Sequence, residues 1–157
     1  GHDVRSRYLE VALAVLLLGC QSEPPVFTDD ERAAVAAEIE AARDAFFDAA
    51  TGLDADGLLA FWDEDFIHLS NASIAPVTPE MLREGWEPLS HVEMARTFDR
   101  VVALTRDSGY TISTASYVVL DTAGAVVESN EWAGTHIWIR RADGWKVQVA
   151  HEGRPVQ

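Results

Sequence analysis

The stretch Gly134-Thr-His-Ile-Trp-Ile-Arg-Arg-Ala-Asp-Gly-Trp-Lys-Val-Gln-Val-Ala-His151 decides how the rest of the chain is read. Asp143-Gly144 is a turn signal, and its flanks are rich in Thr, Ile, Trp and Val, so the segment predicts a β-hairpin. Working outward, 126–141 reads as one long strand, bulged near Gly134, and 145–152 as the last strand. Thr122-Ala-Gly124 is the turn before them, preceded by a Thr-, Ile-, Val- and Tyr-rich strand over 110–120. A meandering antiparallel sheet therefore occupies the C-terminal half of the domain.

The half before it reads differently. Thr28 with Glu31 three residues on forms a capping box, and Ala33, Val35, Ala36, Ile39, Ala42, Phe46, Phe47 and Ala50 follow at three- and four-residue spacing. That pattern predicts an amphipathic helix over 29–51, ended by Gly52. Asp54 caps a short helix through Leu58, Leu59, Phe61 and Trp62, and 66–70 is a first strand. After a loop over 71–79, the pattern predicts a helix over 80–87 and another, capped by Ser90, up to Leu104. Helices first and strands last give an α+β fold, with the sheet curled as a cone around the long N-terminal helix. The open end of such a cone is a natural pocket.

The first residues carry a separate message. Gly1-His2 reads as a tag remnant, followed by Arg5 and Arg7 and an unbroken apolar run from Val11 to Leu18. The run has the length of a signal h-region and is too short to span a bilayer. Leu17-Leu18-Gly19-Cys20 follows, and resembles the bacterial lipobox. This predicts a lipoprotein signal over 1–19, lipidation at Cys20 and a tether over 20–28 carrying Pro24-Pro25. The expected location is the bacterial cell envelope, where multiple acyl chains give firm anchoring.

Composition narrows the partners. The formal net charge is -14, with 26 acidic residues against 12 Lys and Arg. A field of that sign repels phosphate backbones, so nucleic acid is not an expected partner. One cysteine excludes an internal disulfide framework. A hydrophobic content of 48% with five Trp is enough to fill a core.

Two segments carry a family resemblance. Asp54-Ala-Asp-Gly-Leu-Leu-Ala-Phe-Trp-Asp-Glu-Asp-Phe-Ile-His68 is similar to the second-helix-to-first-strand segment of nuclear transport factor 2-like domains. The stretch Gly134–His151 looks like the closing hairpin of their SnoaL-like and ketosteroid-isomerase-like branch. The resemblance spans about 29–153 within a domain over 29–157. It implies the cone fold and a homodimer built on the outer sheet face. It leaves function open, because the fold hosts isomerases, dehydratases, cyclases and non-catalytic binders. Carried across residue by residue, the catalytic Asp of ketosteroid isomerases falls on Ser70 and their helix Tyr near Phe46. A Ser cannot shuttle the proton and a Phe has no hydroxyl, so that mechanism is not expected here.

Chemistry then rests on the histidines. His68 shares a strand face with Phe66 and Ser70, and alternation puts Trp145, Val147, Val149 and His151 on the more apolar face of the last strand. His151 and His68 are the expected proton-transfer or ligand-binding groups. Phe46, Trp62, Phe66, Ser70, Tyr117, Trp132, His136 and Trp138 are the expected pocket lining. His91 and His136 can equally be satisfied structural residues. Asp63-Glu64-Asp65 reads as solvated surface. No short metal-ligand spacing occurs, so neither a metal nor another cofactor is expected. The reading that follows is an envelope-anchored domain binding a small hydrophobic molecule. The alternatives are an acid–base isomerase, dehydratase or cyclase with His151 as base, and a dimerising scaffold.

Overall fold

The computed structural model describes residues 26–70 and 73–154; the expected signal segment and Cys20 lie outside them. Helix α1 (Asp29–Thr51) has the capping box, with the Thr28 hydroxyl accepting from the Glu31 amide at 3.2 Å and the Thr28 amide donating to Glu31 Oε2 at 2.9 Å. Gly52 ends it. The short helix α2 (Ala55–Leu59) is capped by Asp54, which accepts from the Gly57 amide at 2.9 Å. Strands β1 (Trp62–Ser70) and β2 (Ser73–Ile74) lead to helix α3 (Pro79–Trp86), which has Thr78 as its N-cap and Pro at its first position. Strands β3 (Leu89–Thr105), β4 (Ser108–Asp121), β5 (Val126–Arg141) and β6 (Gly144–Gly153) complete the domain.

The six strands form one curved, unclosed sheet in the order β2-β1-β6-β5-β4-β3. All neighbours are antiparallel except β1 and β6, which run parallel, so the sheet is mixed rather than wholly antiparallel. The parallel pair follows from the connectivity. The first strand is separated from the last by the whole meander, and inserting it beside β6 brings the two ends of the domain together.

The 89–105 segment corrects the sequence reading: the helix expected up to Leu104 is the long strand β3. It pairs with β4 from Leu89↔Asp121 to Thr105↔Ser108, with register shifts between Leu89 and His91, Arg96 and Phe98, and Ala103 and Thr105. Each shift slips the two-residue alternation. Val92, Met94, Val101 and Ala103 face inward at uneven spacing, which on paper passes for a helical stripe. Tertiary pairing overrides the local pattern. Two smaller differences are that α2 stops at Leu59 and that β1 begins at Trp62. Asp63 therefore sits in a strand, buried and paired with Arg141 at 2.8 Å, rather than on solvated surface.

The core lies between α1 and the concave sheet face. Val35, Ile39, Phe46 and Phe47 from the helix meet Ala103, Ala115, Trp138 and Val147. Trp138 is fully buried, and its indole donates to Thr111 Oγ1 at 3.0 Å, so its one polar atom is satisfied. Full burial of side chains of this size is worth about 1.5–3 kcal/mol each.

Candidate functional site

The cavity opens where α1 runs past the wide end of the sheet. Its volume is about 230 Å3. Helix α1 supplies Phe46, Phe47 and Ala50, and β1 supplies Trp62, Phe66 and His68. Leu82 and Trp86 of α3, one turn apart, lie across it, and Trp132, Ala150 and Glu152 close the sheet side. Strand alternation puts Trp62, Phe66 and His68 on one face, where the rings form a ladder. Trp62 and Phe66 stack at 4.4 Å, and Phe66 and His68 lie nearly parallel at 6.4 Å.

The polar feature of this otherwise apolar space is a cluster on three strands. Glu152 Oε2 lies 3.3 Å from His68 Nε2, and Glu152 Oε1 lies 3.5 Å from His136 Nε2. Burial pushes the Glu152 carboxyl up, but the hydrogen bonds from His136 and His68, with their charge, outweigh it. They hold the carboxyl well below the usual carboxylate range. Glu152 is therefore an anion at neutral pH. An anionic carboxylate only accepts, so both imidazoles donate to it through Nε2–H. Both Nδ1 atoms are buried without a protein partner among the described residues. The His136 ring, wholly buried, sits 5.1 Å from the Phe46 ring and stacks on Trp132 at 5.9 Å.

The structure brings together His68, Phe46, Trp62, Phe66 and Trp132 as the sequence reading expects, with His136 directly behind the cavity wall. It separates the others. His151 is exposed on the outer face, opposite the cavity. The reason is a register shift in β6. Trp138 pairs with Val147 and Ile137 with Val149, so Gln148 is an extra residue that reverses the alternation. Trp145 and Val147 face inward before it, and Ala150 and Glu152 face inward after it. The residue facing the cavity is thus Glu152, which the two-residue alternation assigned to the other face.

Ser70 shares the inner face of β1 but does not line the cavity, and Trp138 belongs to the core. Tyr117 lies in the wall beyond, where its hydroxyl donates to Glu128; burial first, then this hydrogen bond, pushes the phenol up to about 12. His91 is exposed on β3. Among the described residues no cluster of three or more His, Cys, Asp or Glu has a metal-holding arrangement. Val77, Leu82, Trp86 and Met94 were missed together with Glu152. The pair Leu82 and Trp86 at four-residue spacing was the available signal for an apolar face on α3.

Comparison with solved structures places this architecture. No family model matches the chain, and no curated protein matches it. A ketosteroid isomerase-like protein from Erwinia carotovora atroseptica superposes with a TM-score of 0.63 at 21% identity, covering 78% of this chain and 97% of that one. A nuclear transport factor 2-like superfamily protein from Salmonella enterica gives 0.65 at 9% identity, covering 80% and 94%. The chain has the nuclear transport factor 2-like fold. The association domain of C. elegans CaMKII is similar to the same extent, with a TM-score of 0.63 at 14% identity over 79% of this chain and 98% of that one. Identities this low establish the cone fold and leave the chemistry to the residues of the site.

Proposed function

We propose that this domain binds a small hydrophobic molecule in the cavity between α1, α3 and the sheet, with the ligand's polar end at Glu152 and His68. The observation that carries the reading is an aromatic-lined cavity of about 230 Å3 ending on a hydrogen-bonded carboxylate. A pocket of mostly apolar walls with a few convergent polar groups is the usual form of a ligand site. Because apolar cavities of about 150 Å3 admit benzene, a single substituted ring fits here. Compact aromatic compounds should raise the melting temperature in proportion to the logarithm of their concentration. Ala50→Phe, which projects a ring from α1 into the space, should abolish the shift. No shift from any member of a panel of single-ring aromatics would overturn the reading.

A second reading, acid–base catalysis on such a ligand, draws support from the same cluster. Glu152 fixes the His68 ring, whose Nδ1 has no partner among the described residues, and a positioned imidazole is a competent acid–base group. His68 takes the part that the sequence reading gave to His151. A likeness to a ketosteroid isomerase-like protein is consistent with either reading. Under catalysis, His68→Ala loses turnover even at saturating ligand; turnover that survives the substitution removes His68 from the mechanism.

The cellular setting belongs to the same proposal. Lipid anchoring in the bacterial envelope is supported by Arg5, Arg7, the apolar run 11–18 and Leu17-Leu18-Gly19-Cys20. Homodimerisation draws support from the likeness to an association domain, and a monomeric mass in sedimentation equilibrium would refute it.

A further inference from the structure

We infer that the ligand is an organic cation, a protonated or quaternary amine carried on a compact hydrophobic group. The inference rests on the reading of the cavity as a small-molecule site and adds the sign of the ligand's charge. Three observations lead to it.

The walls are built from aromatic rings. Trp62, Phe66, Trp86 and Trp132 surround the space, with Phe46 and Phe47 beneath. Aromatic faces carry negative quadrupole potential and attract a cation within about 6 Å of the ring centre; Phe66 is taken up between Trp62 and His68, which leaves the indoles for that role. Among the described residues, the only acidic group in the lining is Glu152. It uses two of its acceptor positions on His68 and His136, leaving others for a donor that arrives with the ligand.

The second observation is what the lining lacks. Among the described residues it contains no Lys or Arg. The cations nearby are held by other acids. Arg96 lies 2.6 Å from Asp44, Arg43 lies 2.9 Å from the same carboxylate, Arg83 lies 2.7 Å from Asp56, and Arg154 pairs with Glu128. The charge that would complement Glu152 must come from the ligand or from an imidazole taking a second proton. A neutral hydrophobe would leave the carboxylate facing an apolar lumen, which is costly. An anion would meet like charge in a low-dielectric space.

Third, the approach is negative. Helix α3, which lies across the cavity, carries Glu80 and Glu84, with Glu87 just beyond, against Arg83 alone, and the whole chain has a net charge of -14. Such a field concentrates cations at the mouth and speeds their capture.

The test uses three probes of matched size on the intact protein: phenethylamine, propylbenzene and phenylacetate, cationic, neutral and anionic at neutral pH. Calorimetry or Trp fluorescence should give phenethylamine a Kd at least tenfold below that of propylbenzene, with phenylacetate weakest. Glu152→Gln should erase the amine's advantage over propylbenzene. Equal binding of all three, or tightest binding of phenylacetate, overturns the cation inference while leaving the cavity as a ligand site. Failure of every probe to bind overturns both. If Glu152→Gln does not fold, the ranking of the three probes on the native protein decides alone.

Discussion

Gly134 lies directly beneath Trp132, and its missing side chain is what lets the indole lie flat against β5. A Cβ built there would sit 2.2 Å from Trp132 Cζ2, 2.5 Å from Cη2 and 3.0 Å from Cε2. Ordinary contact begins near 3.4 Å, so in Gly134→Ala the indole must withdraw by about 1.2 Å. That movement breaks its stack on His136 at 5.9 Å and its edge contact with Phe47 at 5.7 Å. Overpacking costs about 1–3 kcal/mol, and each lost aromatic pair about 0.5–1.5 kcal/mol. Against this, replacing a strand Gly by Ala at an unstrained position gains about 0.4–1 kcal/mol. The net expectation is a loss of about 1–5 kcal/mol, opposite in sign to the general effect of filling a glycine. Urea denaturation should show the midpoint falling with an unchanged slope, and near-ultraviolet circular dichroism should report the displaced indole. In a Trp132→Leu background the same Gly134→Ala change should cost almost nothing, because the two effects share one contact. Equal or greater stability of Gly134→Ala, with an unaltered aromatic spectrum, would refute the packing of Trp132 on Gly134.

Two further outcomes follow from the site and the N-terminal segment. The Glu152 carboxyl titrates lower folded than its ordinary unfolded value of about 4.3, so its stabilisation is complete above that value and is lost as pH falls from there through the lower folded value. Glu152→Gln should flatten this acid limb of the stability profile, and an identical profile would show that the carboxylate–imidazole cluster contributes nothing there. Cys20→Ser, expressed in a bacterial host with residues 3–157 intact, should move the protein from the membrane fraction to the soluble fraction; retention in the membrane would refute lipidation at Cys20.

The elements that could be read from sequence are those whose signals are local. Thr28 and Glu31 mark the start of α1 and Gly52 its end, and the observed helix, Asp29–Thr51, coincides with the expected one. The β5–β6 hairpin is announced by Asp143-Gly144, where the backbone of Gly144 takes a φ of 123° that favours glycine. What escaped reading depends on pairing between distant segments. The residues of β3 join a strand because β4 offers a continuous partner, and three register shifts conceal their alternation. The parallel β1–β6 pair leaves no trace in either strand alone. The site divides along the same line. His68, Phe66 and Trp62 were legible from simple alternation within β1, whereas Glu152 sits beyond a bulge that no turn residue announces.

Gln148 gives that bulge a meaning for the chemistry of the fold. Counting residues inward from the end of β6, the side chain that reaches the lumen is fixed by whether an odd or an even number separates it from Val147. With Gln148 bulged out of the ladder a carboxylate reaches the lumen; with Gln148 paired in the ladder the neighbouring imidazole of His151 would take its place. The aromatic wall comes from other strands and is indifferent to this count. The bulge is thus a parity switch: its presence or absence, at unchanged chain length, decides between an anionic floor and a basic one while the rest of the chamber stays as built.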